Sequence, residues 1–302
     1  MFVLAHLSDP HLAPLLTPRL RDLAGKRLLG YVNWRRNRHK VHRTEQVDML
    51  VRDLKSRAPD HVAVTGDLVN IALEAEFAQA RAWLHGLGLP HDVTLVPGNH
   101  DAYVRPALAA QATYWHEFMR DDGATTPALR FPFVRRRGSL ALIGLSSAVP
   151  TAPFMATGRL GGKQIERLED ILGRLTGLCR VVLIHHPPFG EPGDRFKRLV
   201  DAADLAVVLR RFGAEMVLHG HAHVHALNWL EGPSGPIPAL GVPSASAAVT
   251  DGKGSDCAAY NLYRIGGTAR AYSCEAVTRG FRAGADRIVE LGRSEVKLAA
   301  QM

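Results

Sequence analysis

Cysteine is scarce in this chain: three in 302 residues, Cys179, Cys257 and Cys274. An odd number in apolar or β-rich contexts reads as reduced core thiols and argues against a disulfide framework. Long apolar runs are missing too. Although 46% of the residues are hydrophobic, none of the runs reaches the roughly 18 residues of a membrane-spanning helix, so a soluble globular chain is expected. There is no internal repeat and no low-complexity tract, and the Pro/Gly-rich pieces at 190–193 and 232–238 are short enough to be loops. The first apolar run begins at Phe2, which leaves no place for a cleavable leader. A cytoplasmic protein is expected.

Acidic residues are nearly absent from one stretch. Between Arg19 and Arg43 nine Lys and Arg residues stand against Asp22 alone, so this stretch carries the whole formal net charge of +8 and the remainder is neutral. Leucines, Tyr31 and Trp34 interleave with the bases, partly at amphipathic-helix spacing, while Gly25 and Gly30 interrupt it. The bland reading is a surface helix whose long stems cover apolar neighbours. A basic lid, or a peripheral patch that meets an anionic membrane surface or lipid, is the functional one. Nucleic acid is a weaker third, because no stacking platform accompanies the charge. In each case the charges are expected to govern encounter with substrate or surface, outside the chemistry, and His39 and His42 to add cationic potential at lower pH.

What the chain does have is five short polar motifs in order: Asp9-Pro10-His11, Gly66-Asp67, Gly98-Asn99-His100-Asp101, His185-His186-Pro187-Pro188 and Gly220-His221-Ala222-His223. Each follows an apolar, β-branched run (2–7, 61–65, 93–96, 181–184 and 215–218) that reads as a buried strand. The polar residues therefore sit just past strand ends, where layered α/β proteins collect ligands. Taken singly, each motif has a bland reading. Asp-x-His and Gly-Asp occur by chance, Gly-Asn-His-Asp makes a good turn, and Gly-His-Ala-His a solvated hairpin end. Five in order, each after a strand, do not. Carboxylate and amide oxygens with imidazole nitrogens, and no nearby thiol, suit Mn, Fe or Zn. Two such ions need a shared anionic ligand, for which Asp67 is the natural candidate. Alternation along an extended segment would put His221 and His223 on one side, one for each ion.

The ordered set resembles the calcineurin-like metallophosphoesterase superfamily, nearest in style to its bacterial class III phosphodiesterases. The resemblance implies a four-layer αββα sandwich of two mixed sheets flanked by helices. It implies one ion on Asp9, His11, Asp67 and His223, and a second on Asp67, Asn99, His185 and His221, with a bridging hydroxide attacking a phosphodiester. His185 fits the family's His-x-Pro pattern better than His186. His100 would bind the phosphate and assist the leaving group, and Asp101 would orient it. The family often has an acidic residue shortly after Gly-Asp, where this chain has Asn70. Rival readings are a pyrophosphohydrolase of the UDP-2,3-diacylglucosamine type, which commonly has Arg at the position of His100, a nuclease, and a metallophosphoesterase-fold scaffold that has lost its ligands.

Helical patterns at 43–57, 73–85, 106–119, 162–175 and 197–212 alternate with the motif strands. Further strands are predicted at 131–134, 140–146, 225–229, 237–242, 258–265 and 269–276, with Gly266-Gly267 as a hairpin turn. The domain is predicted to span 1–278 with the basic insert at 12–43, and 279–302 to form a surface helix or tail.

Overall fold

The computed structural model describes residues 1–23, 25–190, 195–248, 257–268 and 271–299. The first half lays down β1 (Phe2–Leu7), α1 (Lys26–Asn33), a one-turn α2 (His39–Val41), α3 (Thr44–Ser56), β2 (His61–Val64), α4 (Glu74–Leu87), β3 (Val93–Leu95) and α5 (Pro106–Trp115). The second adds β4 (Phe133–Arg137), β5 (Leu140–Gly144), α6 (Gly162–Arg174), β6 (Cys179–Leu183), α7 (Ala202–Phe212), β7 (Met216–His219), β8 (Ala226–Leu230) and β9 (Ile237–Gly241). Three long strands close it: β10 (Ala259–Thr268), β11 (Ala271–Phe281) and β12 (Ile288–Lys297).

These strands make two six-stranded mixed sheets, ordered β12-β11-β10-β1-β2-β3 and β4-β5-β6-β7-β9-β8. Within them β1, β2 and β3 run parallel, as do β5, β6, β7 and β9. Period-two alternation decides what each face meets. In the second sheet Leu140, Leu142, Val181, Leu183, Met216 and Leu218 join the core shared with the first sheet. Their neighbours Ala141, Ile143, Val182 and Val217 turn outward onto Leu168 and Leu172 of α6 and Leu205 and Leu209 of α7. Helices α3 and α4 cover the first sheet with Val47, Leu50, Leu54, Phe77 and Leu84, spaced at helical intervals. The result is the expected four-layer αββα sandwich. Its three cysteines are free.

Two expectations fail near the C-terminus. Gly266 and Gly267 lie inside the β10–β11 ladder, paired with Ser273 and Tyr272, and Thr268 pairs with Ala271, so the two glycines are not the hairpin turn; residues 269–270 lie outside the described residues. Gly267 is needed there for another reason: its φ is +91°, and a Cβ would strike the Ala271 carbonyl. The segment after 278 is not a surface helix. Residues 279–281 finish β11 and 288–297 form the edge strand β12, in register with β11. Arg279 ties it inward, placing Nε 2.7 Å and Nη2 2.9 Å from the Asp53 carboxylate on α3. The β11–β12 ladder outweighs the segment's weak helical pattern.

Among the described residues no helix is long and apolar enough to cross a membrane. The basic insert forms a strap over the strand ends. Gly30 lets α1 approach closely, since a Cβ there would meet Tyr103 and Ile71 side chains. Lys26 Nζ donates to Thr151 Oγ1 at 2.8 Å, and Arg27 to the carbonyls of Ile71 and Ala72. At the far end Arg43 N donates to Ser246 O and Ala248 N to Val41 O.

Candidate metal centre

The C-terminal ends of β1, β2, β3, β6 and β7 converge on a seam where the sheets are joined by a parallel bridge between Ser8 and Ser244. Backbone bonds fix the loops there. Asp9 N donates to Gly66 O at 2.9 Å and His11 N to Asp67 O at 3.0 Å, and Ser244 Oγ donates to the Asp9 carbonyl at 2.7 Å. Eight non-glycine residues among those described have positive φ, and five of them are Asp9, His11, Asp67, His221 and His223. That backbone costs roughly 1–3 kcal/mol per residue, and such strain collects at functional sites. His221 and His223 are therefore not alternating positions of an extended segment. The left-handed turns send them to different neighbours. Glycines make the crowding tolerable: a Cβ at Gly98 would collide with Asp67, and one at Gly220 with Ser8 and Asp9.

All seven residues expected as ligands lie in this seam, in two abutting clusters. In one, His11 Nε2 and His223 Nε2 are 3.4 Å apart, and Asp9 Oδ1 is 3.1 Å from His223 and 3.8 Å from His11. In the other, His185 Nε2 is 3.2 Å from Asn99 Oδ1 and 3.2 Å from His221 Nδ1. Asp67 Oδ2 serves both, at 3.9 Å from His11 Nε2 and 3.5 Å from His185 Nε2. Donors about 2.1 Å from one ion sit roughly 3–4 Å from each other, so the donor set fits two ions sharing Asp67.

Electrostatics agree. Asp9, Asp67, His11 and His185 are almost wholly buried. Burial opposes charge on His185, yet the Asp67 and Asp9 carboxylates outweigh it and lift the imidazole to about 10. The carboxylates thus hold a proton where an ion would sit. His11 is driven well below its usual range by burial, then by the Arg38 charge, which leaves a neutral ring suited to ligation. His186 is close enough to His185 and His221 to count among potential donors. Its two nitrogens are already engaged, Nδ1 with Ser147 Oγ at 2.7 Å and Nε2 with the Ala156 carbonyl at 3.0 Å. Geometry therefore favours His185, whose Nδ1 donates to Thr65 O at 2.6 Å and leaves Nε2 for the seam.

His100 stands beside the clusters. Its Nδ1 donates to the Asn70 carbonyl at 2.6 Å, and its Nε2 accepts from Arg38 Nη1 at 2.7 Å. A carbonyl can only accept and a guanidinium only donate, so the ring is the neutral Nδ1–H tautomer. Burial, reinforced by Arg38, pulls it down to about 4. Asp101 does not orient this ring. Its Oδ2 accepts from Asp67 N and Gly98 N, both at 2.8 Å, and its Oδ1 from Leu68 N and Val69 N at 2.9 and 3.2 Å. It braces the two loops that carry Asp67 and Asn99. Burial and the Asp67 charge push it up to about 7 against those donors, and four N–H groups on its two oxygens mark it as an acceptor. Asn70 acts through its backbone. Its own N–H is held by Glu76 Oε1 at 2.7 Å, and Glu76 also accepts from Ile71 N and Leu73 N.

Two residues of the insert belong to the site, against the expectation that its charges lie outside the chemistry. Arg38 reaches His100 from a π-turn at Trp34–Arg38. His42 is buried, with its ring 4.4 Å from His11 and 6.0 Å from His223, and its Nδ1 2.7 Å from Ser246 Oγ. Burial, then the Arg38 charge, pushes it down to about 2, so it adds no cationic potential. Arg35 and Arg36, by contrast, are exposed. Nothing in the local pattern separates Arg38 from its neighbours. The signal lay in the stretch as a whole, basic yet rich in Leu, Tyr and Trp, which a wholly solvated loop does not need.

An αββα sandwich with two N/O donor clusters sharing one carboxylate at its strand ends is a two-metal phosphoesterase scaffold. Residues 2–225 match the calcineurin-like phosphoesterase family, and the chain belongs to it. It is 28% identical over 174 residues to a probable cyclic nucleotide phosphodiesterase of Synechococcus, a match that covers 57% of this chain and 60% of that protein. Its fold is similar to a dimetal phosphatase from Danio rerio, with a TM-score of 0.60 at 13% identity over 97% of this chain and 99% of that one. It is also similar to a purple acid phosphatase from yellow lupin seeds, with a TM-score of 0.56 at 12% identity over 98% of this chain and 53% of that one. Metal-dependent phosphoester hydrolysis is the activity that the family and the site support together.

Proposed function

We propose that the protein hydrolyses a phosphodiester, with one ion held by Asp9, His11, Asp67 and His223 and a second by Asp67, Asn99, His185 and His221. The observation that carries this reading is the position of Asp67 Oδ2, within 3.9 Å of one donor cluster and 3.5 Å of the other. When bound, two ions there supply an activated water and neutralise phosphoryl oxygens. Mn, Fe and Zn all suit the donors. The chain's own residues position and screen. Asp101 fixes the Asp67 loop and Asn70 sets the His100 tautomer; His100 would assist the departing oxygen once phosphate draws Arg38 off Nε2 and the ring takes up a proton there. The likeness to a probable cyclic nucleotide phosphodiesterase favours a diester over a monoester.

The outer face of the strap is the proposed contact with an anionic membrane or lipid. Leu20 is 91% and Leu28 49% exposed in this insert, and Arg35 and Arg36 are exposed too. A panel of bis-p-nitrophenyl phosphate, p-nitrophenyl phosphate, cyclic AMP, single-stranded DNA and a UDP-sugar lipid, each with Mn, Zn and Fe, tests the reading. The diester should be turned over fastest among the chromogenic pair. A preference for the monoester, for DNA or for the lipid pyrophosphate would replace it.

A further inference from the structure

Among the described residues Arg38 is a charge without an ion-pair partner. Its Nη1 is spent on the neutral His100, while its Nε and Nη2 are shielded from solvent and have no acceptor among the described residues. A shielded guanidinium with two unmet N–H groups is costly unless an anion completes it. Nε and Nη2 form the side edge of the guanidinium, the edge that takes two oxygens of one phosphate in parallel. The carboxylates of Asp9 and Asp67 are close enough to act on it electrostatically, but both already face the donor clusters.

The placement is built in. Arg38 ends a π-turn, a geometry frequent at functional sites. The strap that carries it is anchored on one side through Lys26, Arg27 and Gly30 and on the other through His42 and Arg43. His100 and His223, both partly exposed, open the seam to solvent, and Arg38 borders that opening through its bond to His100.

We propose that Arg38 is a phosphate-binding residue of this site, gripping two unesterified oxygens of the scissile phosphate through its Nε–Nη2 edge. This deepens the phosphoesterase reading and rests on it. It limits the substrate to phosphates with at least two free oxygens, which diesters and monoesters have and triesters lack.

The test is calorimetric titration of inorganic phosphate into the full-length, ion-loaded protein, with ion content measured for every variant. Arg38→Ala should keep two ions and bind phosphate about 10- to 100-fold more weakly, the scale of hydrogen bonds to charged groups. Arg38→Lys, which keeps charge and loses the fork, should recover only part of that loss, and Arg35→Ala should match wild type. On bis-p-nitrophenyl phosphate kcat/KM should fall in parallel, with partial rescue of Arg38→Ala by added guanidinium. The neutral triester methyl bis-p-nitrophenyl phosphate should show a much smaller effect. Equal phosphate affinity in wild type and Arg38→Ala would overturn the assignment. If Arg38→Ala loses its ions, Arg38→Lys decides, and wild-type affinity there removes the fork. Weaker phosphate binding in a protein that cleaves no diester would sink the phosphodiesterase reading while leaving Arg38 in place.

Discussion

Arg38 Nη1 and His100 Nε2 lie 2.7 Å apart, joining a strap in the first part of the chain to the loop after β3. The pairing shows which nitrogen of His100 faces the seam and leaves the other on Asn70. His100 touches none of the proposed ligands through its ring nitrogens, so its chemistry is separable from ion binding.

His100→Ala should therefore retain both ions and lose about 10²–10⁴-fold in rate, the usual scale for a general acid–base group. The deficit should grow with poorer leaving groups. Elemental analysis and turnover of aryl and alkyl diesters check this; a variant that has lost its ions, or that cleaves an alkyl diester at the wild-type rate, contradicts it.

Asp67→Ala should abolish activity and release both ions, because Asp67 Oδ2 lies within reach of both clusters. Asn99→Ala should weaken only the second ion, since Asn99 Oδ1 meets His185. Ion stoichiometry after dialysis separates the two variants. Two ions retained by Asp67→Ala would rule out the shared ligand.

Ion binding should release protons. His185 in the ion-free protein is raised to about 10, so at neutral pH it is charged and must deprotonate to ligate. With the pKa raised, the proton stays on His185 until pH approaches 10, so affinity for the second ion should climb about tenfold per unit as pH rises towards 10. Calorimetry in buffers of different ionisation enthalpy counts the protons. Zero release at pH 7 would show that His185 is already neutral.

Stability rests partly on Arg180 and Glu215, a buried pair with Nε–Oε2 at 3.0 Å and Nη2–Oε1 at 2.9 Å linking β6 to the residue before β7. Glu215→Ala leaves the guanidinium uncompensated and should cost about 3–5 kcal/mol in chemical denaturation. A loss below 1 kcal/mol would mean that water replaces the carboxylate.

Arg35→Ser with Arg36→Ser should leave turnover of bis-p-nitrophenyl phosphate unchanged and weaken co-sedimentation with anionic vesicles, most at low salt, where screening is least. Arg38 is left out because it faces His100. Identical salt-independent behaviour of both proteins would identify the outer strap as plain solvated surface.

The strands and ligand loops were legible because apolar runs, turn residues and donors coincide within a few positions. Asp67 was expected as the shared ligand from chemistry alone, and its carboxylate does lie near both donor clusters. The roles of Asp101 and Glu76 were hidden, because both act on backbone N–H groups of distant loops and leave no mark in a linear pattern. Arg38 and His42 were hidden differently: their value comes from a strap folding back over strand ends, and nearby Arg and His residues look the same in sequence. The weak helical pattern after 278 misled because β12 draws its stability from a ladder with β11, which no local propensity reports.

The sheets meet at Ser8 and Ser244, and each proposed ion draws ligands from both: Asp9, His11, Asp67 and Asn99 hang from the first sheet, His185, His221 and His223 from the second. Bound there, the pair of ions would be a rivet through two plates. A twist of one plate against the other would change the distance between the two halves of each donor cluster, and without ions the core shared by the sheets would still hold the plates together.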